Sequence, residues 1–115
     1  MTACPRMIGR ALVKFLTQSQ GGRKSPPVHM PGQWFYRPQA VFEGQQDEPG
    51  HPYGQFGIGM RFGGPADENL VMHAEIQWAV DGAPHHLIVP GAKFKVYEGS
   101  KLVANGEVLE SHPAG

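Results

Sequence analysis

Leu70-Val71-Met72-His73-Ala74-Glu75-Ile76-Gln77-Trp78-Ala79-Val80 alternates over its whole length. Leu70, Met72, Ala74, Ile76, Trp78 and Val80 fall on one side, and His73, Glu75 and Gln77 on the other. Successive side chains of an extended chain point to opposite faces, so the stretch predicts a strand with one face in a core and one in water. A helix would repeat its apolar residues every three or four positions. Asp81-Gly82, directly after it, is a turn signal.

The same period appears on both sides. Phe56, Ile58, Met60 and Phe62 alternate with glycines and Arg61, which predicts a strand packed closely against another layer. Phe94 and Val96 face in while Lys93, Lys95 and Tyr97 face out, and Leu102 to Leu109 reads as the last strand. Trp34 to Phe42 is aromatic and strand-like, but Pro38 removes a ladder hydrogen bond, so this is an edge strand or a bulge. Residues 44–55 read as a loop. Ala11 to Thr17 fits either a short helix or a strand from its residues alone. Leu70, Met72, Ile76, Trp78, Phe94 and Val96 are the expected core.

Sixteen glycines and eleven prolines punctuate these runs along the chain. Short runs between turns favour an all-β domain, and 115 residues suffice for a single core. Closing the sheet removes exposed edges, so six or seven strands without a long helix predict a closed antiparallel barrel or a sandwich. Ten basic residues balance ten acidic ones, which argues against strong non-specific nucleic-acid binding. Cys4 is alone, so no internal disulfide forms. No apolar run approaches the roughly 20 residues of a membrane helix, and the first residues show no signal-peptide core. A cytoplasmic protein with no membrane contact is the expectation.

Catalytic signatures are missing. There is no GxxxxGK(S/T), HExxH, CxxC or GxSxG string. His85-His86 are neighbours, which in a strand point apart, and His29, His51, His73 and His112 lie in unrelated segments. Asp47-Glu48 and Asp67-Glu68 read as solvated loop charge. The expectation is a non-enzyme with no metal site, no cofactor and no bound nucleotide.

Gly21-Gly22-Arg23-Lys24-Ser25-Pro26, then Tyr36-Arg37-Pro38-Gln39, and finally the stretch from Pro90 to Val108 with Glu98-Gly99-Ser100-Lys101 and Gly106 at its centre, occur in that order. Together they resemble the C-terminal (third) β-barrel domain of elongation factor Tu, across roughly residues 11 to 110. The resemblance implies a single antiparallel Greek-key barrel. It also decides for a strand at residues 11–17. From the residues themselves, 1–10 read as a flexible arm, with Pro5 and Gly9 breaking any pattern, and 111–115 as a tail. Gly22, Tyr36, Arg37, Pro38, Gln39, Gly99 and Gly106 are then structural motif residues, with Arg37 expected to reach an acid across the surface.

In that family the glycine-arginine loop and the closing turn contact the backbone of transfer RNA. By position, the resemblance makes Arg23, Lys24, Ser25 and Lys101 candidate binding residues, with Lys93 and Lys95 as further basic groups. Against the family, residues are inserted between Pro27 and Phe35. They place Trp34 and Phe35 in an enlarged loop, either packed under it or exposed for binding. Two functions follow. One is a non-catalytic protein–protein interaction module anchored on Trp34 and Phe35. The other is an RNA- or translation-associated module using the basic loops.

Overall fold

A computed structural model describes residues 6–27, 34, 36–44 and 56–114. Six strands run in chain order: β1 (Met7–Phe15), β2 (Gln39–Phe42), β3 (Ile58–Phe62), β4 (Val71–Trp78), β5 (Lys93–Glu98) and β6 (Lys101–Pro113). They form one antiparallel sheet in the order β2-β5-β6-β1-β4-β3. The sheet curls into a half-barrel. Its two edges meet through isolated bridges, Tyr36 to Met60 and Gln39 to Gly57.

Two bulges on β6 help to curl it. Leu109 is passed over where the register with β1 shifts, and Val103 where the register with β5 shifts. An extra residue on one strand sharpens the local twist. It also breaks strict alternation, which is why the consecutive Val103 and Ala104 are both buried.

Met72, Ile76, Trp78, Phe94 and Val96 lie in the core as expected, joined by Ile58, Met60 and Phe62. Leu70 and Val80 do not continue the β4 face. Leu70 sits in the turn before the strand at φ 63°, partly buried against the core, and its carbonyl accepts from the Phe15 amide at 2.9 Å. Asp67 builds that turn, its Oδ1 accepting from the amides of Asn69 and Val71. Val80 lies beyond the strand and is 48% exposed.

β1 begins at Met7, paired with Pro113 of β6. Residues 7–10, read from sequence as part of an arm, are therefore in the sheet, as are 111–113 of the expected tail. β2 starts directly after Pro38 and forms one sheet edge, as a proline without an amide requires.

Residues 81–88 close one end. Ala83, His85 and Ile88 are buried, and Trp78 Nε1 donates to the Pro84 carbonyl at 3.1 Å. From the sequence, His85 reads as the neighbour of His86 in a strand. It sits instead in a 3-10 turn, 2% exposed, with Nε2 placed 3.1 Å from the carbonyls of both Val80 and Asp81. Ile88 fits because Gly9 has no side chain, since a Cβ there would lie 2.7 Å from Ile88 Cγ2. Among the described residues no helix is long and apolar enough to cross a membrane. Among them, too, no group of three His, Cys, Asp or Glu stands close enough to hold a metal.

Candidate functional site

The three stretches singled out in the sequence converge in space. Arg23, from the loop after β1, pairs through Nη1 with Glu98 Oε2 at the end of β5. Tyr36 donates its hydroxyl to the same oxygen at 2.6 Å. The Arg23 guanidinium also lies 5.5 Å from the Tyr36 ring centroid, and its Nε donates to the Ser25 carbonyl at 2.9 Å. One carboxylate thus ties together the glycine-arginine loop, the Tyr36 segment and the closing hairpin.

Burial alone would raise the Glu98 pKa. The hydrogen bonds from Tyr36 and Arg23, then the charges of Arg23 and Lys101, outweigh it and hold the carboxyl below its usual range. Burial pushes the Tyr36 hydroxyl well above its ordinary value, helped by its bond to Glu98 and the charge of that carboxylate.

The pH dependence follows from these directions. A carboxylate with a depressed folded pKa contributes stability above its ordinary value of about 4.3, and loses it as pH falls through the folded value. A tyrosine with a raised pKa contributes below about 10 and loses it as pH rises beyond. Glu98→Gln is expected to cost about 1–2 kcal/mol, a charged hydrogen-bond loss reduced by solvent at a pair one-third exposed. It should also flatten the acid limb of the stability profile. Urea midpoints measured between pH 3 and 7 check both, and an unchanged acid limb would detach Glu98 from the fold.

The glycines of the first stretch are set by geometry. Gly21 has φ 90°, and a Cβ on Gly22 would lie 2.4 Å from the Leu16 carbonyl oxygen. Gly99 has φ 64° in the two-residue turn between Glu98 and Lys101. Positive φ at the first central residue alone marks a type II′ hairpin turn. In the second stretch, the carbonyls of Tyr36 and Pro38 accept from the amides of Met60 and Ile58, both at 2.8 Å. Gln39 is exposed and opens β2 opposite Tyr97. Among the described residues Arg37 meets no acid. Its Nε donates to the Trp34 carbonyl at 3.2 Å.

The basic residues form no single cluster. Arg23 is neutralised by Glu98, its neighbours Lys24 and Ser25 are exposed, and Lys101 stands opposite Glu98 in the register of the hairpin. Lys93 and Lys95 lie along β5 on the outer face, with Lys93 directly opposite Glu107.

Trp34 lies on the outer face of β3, half-buried. A Cβ built on Gly59 would sit 3.5 Å from its Cε3, and the Arg61 guanidinium stacks 4.5 Å from its ring centroid. Arg61 is held in turn by Glu75 Oε1, at 2.6 Å from Nη2 and 2.9 Å from Nε. Arg61, Glu75, Arg10 and Glu110 occupy one row across β3, β4, β1 and β6, with Arg10 and Glu110 paired at 2.8 Å. The alternation of β4 placed Glu75 outward, but the supports beneath Trp34 needed the strand register. Phe35 lies outside the described residues, as does most of the loop from Pro27 to Phe35. Compared with family models, curated proteins and solved structures, the chain matches none.

Proposed function

We propose that this protein is a non-catalytic protein-binding module, built on a barrel of the elongation factor Tu C-terminal type, with Trp34 at the centre of its contact surface. The placement of Trp34 carries the reading. Its indole lies outside the core on a glycine, braced by a guanidinium that a carboxylate fixes. A large, half-exposed aromatic side chain held rigidly on a sheet face has little rotamer freedom left to lose, and tryptophan is enriched among interface anchors. The barrel type is supported by the way the three resembling stretches interlock on Glu98.

Trp34→Ala is expected to weaken partner capture by about 2 kcal/mol, roughly thirtyfold. Thermal stability should change little, because the ring lies outside the core. Affinity capture from the native lysate, with and without ribonuclease, reads this. Capture that ignores Trp34 would sink the proposal.

A second reading keeps the RNA-associated module. Lys95 of β5 and Lys14 of β1 flank Asn105 of β6 in one outer-face row, so some basic character does gather there. It predicts capture that ribonuclease abolishes and that falls steeply with salt.

A further inference from the structure

A cleft of about 110 Å³ opens beside Trp34, and two arginines, Arg6 and Arg37, line it with Gly59 and Gln77. The arginines reach it from different parts of the chain. Arg6 precedes β1 and is fixed by donating Nη2 to the Trp78 carbonyl at 2.6 Å and by pairing with Asp81. Arg37 is held only by its Nε bond to the Trp34 carbonyl, and among the described residues no carboxylate meets it. The planar fork of its two terminal nitrogens suits a planar oxyanion. Gln77, half-buried, is a further polar residue in the lining.

Size and charge narrow the occupant. At about 30 Å³ per water in the liquid, the cleft has room for one small group. Drug-sized ligands take sites of about 300 Å³ or more. The two arginines set against Asp81 leave one net positive charge, and the Asp81 side chain is 88% exposed, turned to water. One net charge suits a carboxylate better than a phosphate dianion or a polyanion, and the chain as a whole carries no excess positive charge.

We propose that this cleft takes the side-chain carboxylate of an acidic residue in a protein partner, while the exposed part of Trp34 takes an apolar side chain next to it. The inference rests on the protein-binding reading and specifies its partner as an acidic peptide segment with an adjacent apolar residue. Arg37 is the specificity determinant, and Arg6 both lines the cleft and secures the Trp78 backbone.

The test is an NMR titration of the 15N-labelled full chain with acetyl-Leu-Glu-amide, with acetyl-Leu-Gln-amide and inorganic phosphate as comparison probes. Saturable shifts are expected at the Gly59 amide, the Gln77 side-chain amide and the Trp34 indole with the glutamate peptide. The glutamine peptide should bind at least tenfold more weakly. Arg37→Gln should weaken the glutamate peptide at least tenfold with the other resonances in place, and Arg37→Lys should fall between, keeping charge but losing the fork. Absence of localised shifts overturns the cleft, as does equal binding of both peptides. Phosphate binding more tightly than the glutamate peptide overturns the assignment to an acidic peptide. The two readings fail separately. Localised shifts without Trp34-dependent capture sink the module, and capture without the shifts sinks only the cleft.

Discussion

Trp78→Ala is expected to lower the unfolding free energy by roughly 3–5 kcal/mol, a large share of the 5–15 kcal/mol that a domain commonly possesses. Trp78 has no exposed surface. Its ring centroid lies 5.2 Å from that of Phe42 on β2 and 6.1 Å from that of Phe56, so it joins the two edges of the curled sheet. Its Nε1 donates to the Pro84 carbonyl and so holds down the segment that closes one end of the half-barrel. Alanine would leave a cavity between layers that cannot collapse, together with a buried carbonyl that has lost its donor. Trp78→Phe separates the two effects. It keeps most of the ring and forfeits the hydrogen bond, so a loss of about 1–3 kcal/mol is expected. Urea denaturation measures both. A loss below about 1 kcal/mol for the alanine variant would place Trp78 outside the packed core.

The stretch that contains Trp78 shows what the sequence made legible. Alternation identified the strand, its buried face and Met72, Ile76 and Trp78 as core, because period two is imposed by the backbone itself. It overran at both ends. Leu70 and Val80 fit the period but lie in turns, where Asp67 at one end and the segment leading to His85 at the other take over the backbone hydrogen bonds. Bulges escaped detection for a related reason. Val103 and Ala104 are both buried because β6 carries an extra residue there, and no local pattern signals that insertion.

The candidate site was less legible. Arg23, Tyr36 and Glu98 each lay within a stretch picked out from the sequence, but a shared carboxylate joins residues up to 75 positions apart. Arg23 therefore read as a free surface cation rather than half of an ion pair. Arg6 carries no signal in the sequence because Pro5 and Gly9 break the pattern at the start of β1, although Gly9 is there to admit Ile88. Trp34 was found by its residue type alone. Its support by Gly59 and Arg61 depends on the pairing of β3 with β4.

Gly106→Ala is expected to destabilise toward the upper end of the ~1–3 kcal/mol that overpacking costs. Gly106 stands directly across from Phe94, and a Cβ there would lie 2.1 Å from Cζ of its ring. Rotating the ring away would break its stacking. It stacks on Phe42 with centroids 4.7 Å apart and planes at 17°, and Phe42 packs against Trp78. Moving Phe94 therefore disturbs the aromatic layer on which the Trp78 prediction also rests. A double-mutant cycle with Phe94→Leu tests this directly. Removing the ring is costly by itself, but in that background Gly106→Ala should be nearly neutral or slightly stabilising, since alanine restricts the unfolded chain more than glycine does. A coupling above about 1 kcal/mol is expected. Equal costs in both backgrounds would mean that Gly106 does not exist to admit the ring. The expected coupling also bears on what the spaced glycine of the closing hairpin is for. A glycine needed by Phe94 serves packing, and like Gly22 against the Leu16 carbonyl it marks how the curled sheet is built rather than what it binds. In the proposed module, binding falls instead to side chains that packing does not require, Trp34 and Arg37.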